Sequence, residues 1–404
     1  MTLRAHHFSF YGSLLLSRLA DQMLLFLVPL VVYQATQSAA WTGVAFFVET
    51  LTRFMAFPIC GVLCDRRPPL RLLRTSQTLR ALACLGGLIA AHLLGGMAGI
   101  AALVVMAAIC GVLTTQGVMA REVLLPHIFP GERFEKVLAH AQIADQLGMV
   151  IGPVVVAVAL ALWPWQGVVA SSGALFVWAD VSLALWQKHN TAPLPVPQVT
   201  AGERWWLPLR TALGHIWHLP GLKSLIALAA GVNLVVGVTL ATAPAMVTGL
   251  LQQSTSAYAS LQTASAVLTV LVLAVVARVA WRGHTLGVLS YLCVLAGGVL
   301  TALGGYYLMY ATGFLLVVGF DKMFSVYIRA GRQRIIPVVD FGKTSGVVVL
   351  LNNLTQPVAG LVVGLGAQGA EARGVIAALA VGMALLGGGV LWMGRWPTPA
   401  KQIG

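Results

Sequence analysis

Residues 98–120 read AGIAALVVMAAICGVLTTQGVMA, a run of 23 residues without an acidic or basic side chain. An α-helix of roughly 20 apolar residues crosses the hydrocarbon core of a bilayer, so this run predicts a membrane-spanning helix. Similar blocks recur along the 404-residue chain, of which 58% is apolar and 9% charged. An average soluble domain carries about 25% charged residues. The composition therefore predicts a polytopic membrane protein and excludes a soluble enzyme, a disordered chain and a nucleic-acid-binding domain.

The apolar blocks predict twelve transmembrane helices, here called spans, separated by short connections. Their bounds are 9–34, 39–64, 76–96, 98–123, 138–163, 166–187, 222–251, 256–279, 285–305, 307–329, 342–367 and 374–394. One long connection, 188–221, divides the chain into two sets of six spans. We therefore predict an all-α membrane protein with two pseudo-symmetric six-helix bundles, 1–187 and 222–404, joined by a linker at 188–221.

The linker has two parts of different character. It begins KHNTAPLPVPQV (188–199), whose prolines favour an extended chain. It continues RWWLPLRTALGHIWHLPG (204–221), a mixture of Trp, Leu, Arg and His that suits a helix lying in the membrane interface. His215 and His218 lie there beside aromatic residues and without a nearby acid, which favours interfacial anchoring over metal binding.

The basic residues predict the orientation of the chain. The even-numbered connections hold nearly all of them, for example Arg66, Arg67, Arg71 and Arg74 in the second connection, whereas the odd-numbered ones hold almost none. Cytoplasmic loops carry the excess of Lys and Arg, so both termini and the linker are expected in the cytoplasm. The net charge of +13 is thus first a topology signal. We expect a multi-pass protein of a bacterial inner membrane, without a nucleic-acid partner.

The sequence offers no recognisable catalytic or metal-binding pattern. The five cysteines form no CxxC pair, and neither an HExxH motif nor a P-loop occurs. We predict no enzyme activity, no resident metal and no cofactor, and ATP cannot drive the protein directly. A proton gradient is the expected source of energy.

Three motifs and the layout of the spans resemble the major facilitator superfamily of transporters. After the second span, Gly61-Val-Leu63-Cys-Asp65-Arg66 is similar to that family's loop signature G-x-L-x-D-R. Gly148-x-x-x-Gly152-Pro153 resembles the core of a motif found in its antiporters. The connection from Ala120-Arg121-Glu122 to Glu132 resembles that of the branch with macrolide-efflux and enterobactin-exporter proteins. The second-half copy of the loop signature, near 277–284, contains no acid.

This resemblance implies a mechanism of alternating access and a set of gating residues. In the superfamily, spans 1, 4, 7 and 10 line a central cavity between the two bundles. The resemblance implies that Asp65, with Arg121 and the start of the eleventh span as partners, forms a latch that breaks when the halves rock. The gating candidates are Asp65, Arg66, Arg121, Asp145, Gly152 and Pro153.

Ionisable side chains inside the spans are the first candidates for proton coupling or substrate binding, because each costs several kcal/mol unless it is paired or wetted. The candidates selected are Arg18 and Asp21 with their neighbour Gln22 in span 1, Glu49 and Arg53 in span 2, and Asp321 in span 10. Spacing predicts two intrahelical pairs, Arg18 with Asp21 and Glu49 with Arg53. Asp321 and Lys322 point about 100° apart, so one is expected to face the cavity and the other a neighbouring helix. A purely structural role remains the alternative for each.

Uncharged polar residues in the spans are candidates for substrate recognition, because an amide in an apolar helix needs a partner. The residues so selected are Gln116, Asn233, Thr239, Asn353 and Gln356. Pro153, Pro244 and Pro357 mark expected kinks whose freed carbonyls can bind ligand or water.

Three functions are compatible with these residues. The first is a proton-driven exporter of a small organic molecule, siderophore-like or drug-like. The second is an exporter of divalent metal, because Ser17-x-x-x-Asp21 and Asp145-Gln146-Leu147 also resemble ferroportin. The third is a lipid flippase or a non-transporting sensor of the same fold. The expected partners are the small-molecule substrate and the lipid bilayer, and we expect a monomer.

Overall fold

The computed structural model describes residues 5–36, 39–129, 132–190, 194, 207–279, 281–355 and 371–393. Within these ranges the regular elements are all helical. The α-helices are α1 Ala5–Thr36, α2 Ala39–Arg66, α3 Pro69–Leu94, α4 Gly96–Ile128, α5 Phe134–Leu162, α6 Trp165–His189, α7 Leu207–His218, α8 Leu222–Pro244, α9 Thr255–Arg278, α10 Gly283–Leu303, α11 Tyr307–Ile335, α12 Phe341–Asn353 and α13 Glu371–Trp392. The predicted all-α membrane fold is confirmed.

Ten helical segments of the described ranges are long and apolar enough to cross a membrane. Every predicted span meets a helix, although the end of the eleventh span lies outside the described residues. The largest difference is at α3, which begins at Pro69 instead of residue 76. Proline favours the first helical position because its missing N–H is unpaired there in any case. Arg71 and Arg74 therefore lie on a helix and not in a loop.

Two further predictions concern local backbone structure. The predicted helix in the linker is present as α7. Lys223, at the start of α8, lies with its Nζ 4.2 Å from the centre of the ring of Trp217, near the end of α7. At Pro244, α8 gives way to a π-helical segment, Ala245–Leu250. Pro153 lies inside α5 without ending it. Pro357 and most of 191–206 lie outside the described residues.

The chain forms two compact units that do not simply follow the halves of the sequence. The first unit consists of Met1–Glu132, Ile143–Leu209 and Val339–Gly346, and the second of Arg133–Gln142, Arg210–Val338 and Val347–Gly404. The first turns of α5 therefore belong to the second unit, and the first turns of α12 to the first. The start of α12 makes one of the predicted gating contacts, the one with Asp65.

Each unit has an apolar core and an apolar outer surface. In the first unit Leu27, Leu103 and Phe176 pack together, all of them almost inaccessible to solvent. On the outside, side chains such as Leu93 and Trp178 are 76% and 70% exposed. Hydrocarbon can cover such side chains in a bilayer, where water could not.

Candidate functional site

The most deeply buried charged side chain of the described residues is Arg80, which lies in the first unit beside Asp21. Arg80 Nη1 donates a hydrogen bond to Asp21 Oδ1 over 2.8 Å, and Thr114 Oγ1 lies 2.7 Å from the same oxygen. Arg80 Nη2 donates to Ser17 Oγ over 2.9 Å. Asp21 is 5% exposed and Arg80 only 1%. These four residues of α1, α3 and α4, named here the Asp21 cluster, form a closed network of one anion, one cation and two hydroxyls.

The Asp21 cluster corrects one sequence prediction. The ion pair of Asp21 is with Arg80 of α3, and not with Arg18 on its own helix. Arg80 is held further by the carbonyl of Ser76 at 3.1 Å and by the face of Phe176, whose ring centre is 4.3 Å away. Sequence reasoning missed Arg80. A signal existed, because Arg80 lies inside the predicted third span, 76–96, where an unpaired charge is costly.

Arg18 lies one turn from Asp21, against α5. A Cβ atom added at Gly148 would lie 2.8 Å from Arg18 Cγ. The Nε atom of Arg18 is buried without a hydrogen-bond partner. Arg18 is thus a cation with donor capacity that the described side chains leave unused.

The glycines of the antiporter-like motif bring α5 close to α1. An added Cβ at Gly152 would lie 2.5 Å from Gln22 Cβ, one turn along from the contact at Gly148. No larger residue fits at either glycine without moving a helix. The motif therefore positions Arg18 and Gln22, two of the predicted site residues.

Arg121 and Asp145 form a second ion pair, which joins α4 to α5. Arg121 Nη1 and Nη2 each lie 2.8 Å from an oxygen of Asp145, a bidentate geometry. The predicted pairing of Arg121 with Asp65 is therefore wrong. Arg121 and Asp145, both gating candidates, thus join α4 to α5.

The predicted pair of Glu49 and Arg53 is confirmed, with Arg53 Nη2 2.9 Å from Glu49 Oε1. Gln116, in contrast, does not stand among these charges. Its Nε2 donates to the carbonyl of Leu72 over 2.9 Å and to Thr75 Oγ1 over 3.2 Å, so it joins α4 to α3. These two bonds account for the amide nitrogen of Gln116.

Asp65 stands at the end of α2 and caps the start of α12. The backbone N–H groups of Gly342 and Lys343 donate to its two carboxylate oxygens, each over 2.8 Å. The first N–H groups of a helix lack intrahelical partners and attract negative charge. The predicted contact of Asp65 with the start of the eleventh span is confirmed. Arg66, the next residue, ends α2.

Glycines make this contact between α2 and α12 possible. An added Cβ at Gly61 or Gly342 would collide with the other residue's backbone oxygen, and one at Gly346 would lie 2.5 Å from the carbonyl oxygen of Phe57. Gly61 opens the loop signature that ends in Asp65-Arg66. The signature therefore specifies both the acceptor and the close approach that lets it reach the α12 amides.

The second unit holds the start of α5 by different chemistry. The region after α9, which lacks an acid, offers the carbonyls of Val279 and Trp281 to Arg133 Nη1 and Nη2 over 2.8 and 3.1 Å. Arg334 forms an ion pair with Glu135. Here the side chain donates and the backbone accepts, the reverse of the contact at Asp65.

The candidates of the second half of the sequence are more dispersed. Asn233 Nδ2 donates to the carbonyl of Asn352 over 3.3 Å, and Thr239 is fully buried with an Oγ1 atom that has no hydrogen-bond partner. Lys322 Nζ lies 2.7 Å from Asp321 Oδ2, so the prediction that these two residues diverge is wrong, since the long lysine stem bridges the angle. Asn353 is half-buried at the end of α12, and Gln356 lies outside the described residues.

The fold and the buried charges are those of a polytopic helical membrane protein in which ion pairs join neighbouring helices of the first unit. The family model of the Major Facilitator Superfamily matches residues 10–331, so the chain belongs to this superfamily. It is a transporter and not an enzyme, and it is a multi-pass integral membrane protein. No curated protein sequence matched the chain significantly.

Several solved structures share the fold at low sequence identity. A bacterial homologue of the iron transporter ferroportin, in an outward-facing state, is 17% identical with a TM-score of 0.71, covering 97% of this chain and 100% of the other. The transporter FucP in its outward conformation is 14% identical with a TM-score of 0.69, over 95% and 98% of the two chains. The human organic anion transporter MFSD10 is 17% identical with a TM-score of 0.65, over 95% and 100%. These likenesses establish the fold alone.

Proposed function

We propose that this transporter is a proton-coupled exporter of a small organic molecule that works by alternating access. The observation that carries the proposal is the Asp21 cluster, in which one buried carboxylate holds Arg80 at 2.8 Å. Adding a proton to Asp21 removes the charge that binds Arg80, and the packing of α1 against α3 and α4 must then change. An intramembrane acid with a single cationic partner is suited to couple proton movement to such a change. The close α1–α5 contact at the antiporter-like glycines supports export.

The charges around Arg18 support a proposal for the class of substrate. Arg53 and Arg121 form ion pairs with Glu49 and Asp145, whereas no such pair is seen for Arg18 among the described residues, and its Nε, like that of Arg121, has no hydrogen-bond partner. A carboxylate, phenolate or phosphate group of the substrate would satisfy it and balance its charge, because guanidinium binds planar anions well. We therefore propose an organic molecule with an anionic group, which includes siderophore-like compounds.

The export of divalent metal is the second candidate, and the Asp21 cluster argues against it. Ser17 and Asp21, the residues that resemble ferroportin, both bind the guanidinium of Arg80, so a cation already occupies them. Among the described residues, no group of three or more His, Cys, Asp or Glu could hold a metal ion. Metal sites in proteins need several converging ligands of these types.

Extracellular metabolite profiling of a strain that lacks the gene tests the proposal. We expect an anionic organic compound to disappear from the medium, and wild-type protein to restore it. Arg18→Gln should raise the apparent KM for this compound about tenfold or more, since a hydrogen bond to a charged group contributes ~1.5–3 kcal/mol. Arg18→Lys, the matched control, should recover part of this loss. An unchanged metabolite profile, with altered cellular iron or altered lipid asymmetry, would replace the proposal by metal export or by lipid flipping.

Proteoliposomes give a second, independent test against metal transport. We expect no uptake of Fe²⁺ or Mn²⁺ into vesicles that contain a fluorescent chelator, whereas a divalent-cation ionophore added as a control should quench the dye. Uptake that depends on the wild-type protein and is lost in Asp21→Asn would assign the site to metal and contradict an organic substrate.

We also propose a bacterial inner membrane as the location, with both termini and the linker in the cytoplasm. Single cysteines introduced at His189, at the start of the linker, and at Gln253, between α8 and α9, should therefore be labelled from opposite sides by an impermeant thiol reagent. Labelling of both from the outside of intact cells would overturn this topology. Cys293 is removed from the parent protein for this test, because it is half-buried, whereas the other four cysteines are buried.

A further inference from the structure

An open cavity of about 410 Å³ lies in the first unit between the start of α3 and the end of α6. Its lining includes Leu70, Arg71, Arg74, Thr75, Asp180 and Gln187. These are the ends of two transmembrane helices, so the cavity lies near the level where lipid headgroups meet the protein. The Asp21 cluster and the other residues of the proposed transport site do not line it.

The charges of the cavity leave one positive charge in excess. Arg74 Nε and Nη2 bind the two oxygens of Asp180 over 2.9 and 3.1 Å, and its Nη1 lies 3.3 Å from Gln187 Oε1. This pair neutralises the single acid in the lining. Arg71, one turn before Arg74, is exposed and adds a cation. The cavity therefore suits an anion.

Further along α3 and α6, away from the helix ends that line the cavity, the exposed surface is apolar. On α3, away from its basic end, Leu82 and Leu85 are more than half exposed, and on α6 Val177 and Trp178 are also exposed. A small soluble anion would make no contact with these apolar side chains. An amphiphile with a charged head at Arg71 and hydrocarbon chains along α3 and α6 covers both.

We propose that this cavity binds the headgroup of an anionic phospholipid, with the phosphate at Arg71 and the acyl chains against the exposed faces of α3 and α6. Basic pockets at the ends of transmembrane helices recognise anionic lipids in this manner. The site is independent of the proposed substrate and of proton coupling. Inorganic phosphate shares the headgroup chemistry and is the competing occupant that the experiment must separate.

Native mass spectrometry and thermal unfolding of the full-length protein test the site. In nanodiscs that contain equal amounts of phosphatidylglycerol and phosphatidylcholine, wild-type protein should retain phosphatidylglycerol preferentially and unfold at a higher temperature than in phosphatidylcholine alone. Arg71→Gln should lower the preference about fivefold, the share of one basic residue near a lipid surface. Arg282→Gln, which changes an exposed arginine before α10, is the matched control and should leave the preference unchanged.

Two results would overturn the proposal. If wild type, Arg71→Gln and the charge-reversing Arg71→Glu retained phosphatidylglycerol equally, Arg71 would not bind the lipid headgroup and the proposal would be wrong. Stabilisation of the wild type by millimolar inorganic phosphate, equal to that by phosphatidylglycerol and lost in Arg71→Gln, would assign the cavity to a soluble anion. Because Arg71 is exposed, neither substitution should prevent folding.

Discussion

Asp21→Asn is expected to abolish proton-driven export and to destabilise the protein at the same time. The substitution keeps the size of the side chain but leaves the guanidinium of Arg80 buried without its counter-charge. Removing one partner of a buried ion pair typically costs about 3–5 kcal/mol. The melting temperature of the purified protein should therefore fall, and transport in inverted vesicles under an imposed pH gradient should be lost.

The double substitution Asp21→Asn, Arg80→Gln separates coupling from stability. It removes both charges, and Ser17 and Thr114 remain as partners for the two amides. Replacing both partners of a pair is much less costly than removing one. We expect most of the melting temperature to return while proton-driven export stays absent. If either variant still concentrates the exported compound against its gradient under an imposed proton force, Asp21 is not the coupling residue, and Asp321 becomes the next candidate.

The fold was predictable because it depends on features that are local in sequence. Blocks of apolar residues set the number of spans, and the Glu49–Arg53 pair was predictable because both residues lie on one face of one helix. The predicted start of α3 is wrong by seven residues, since a basic run such as the one that includes Arg71 is typical of a loop. Proline at the first position gives a helix start that charge counting overlooks.

Contacts between helices were predictable only where a motif encoded them. Asp21 and Arg80 are 59 residues apart, and their pairing depends on how α1 packs against α3. Spacing along α1 favours Arg18, three residues from Asp21, as the partner of Asp21. In the structure the side chain of Arg18 instead packs against Gly148 of α5. The contact of Asp65 with the start of α12 is predictable, because the resemblance to the superfamily implies it. The donors are backbone N–H groups, so no side-chain pattern near Gly342 could reveal them.

Gly342→Ala is expected to reduce transport by roughly tenfold or more, the effect of about 1.4 kcal/mol on a rate or equilibrium. The new methyl group would overlap Asp65 Oδ1 and the backbone oxygen of Gly61, and backbone atoms cannot rotate away. The start of α12 must then move away from α2, and Asp65 loses its two N–H donors. We expect a slower transport rate with little change in substrate affinity, because the contact is separate from Asp21 and Arg18.

Native Cys64 reports on this movement directly. It precedes Asp65, is 3% exposed and should be protected from a permeant maleimide in the wild type, whereas Gly342→Ala should label it faster. Asp65→Asn should act in the same direction but less strongly, because asparagine offers one carbonyl oxygen where aspartate offers two. Gly382→Ala in α13 is the matched control, since nothing lies within 4 Å of a Cβ at that position. A Gly342→Ala protein with normal transport and protected Cys64 would show that the α2–α12 contact does not limit the cycle; lost substrate binding at a normal rate would place Asp65 in the substrate site.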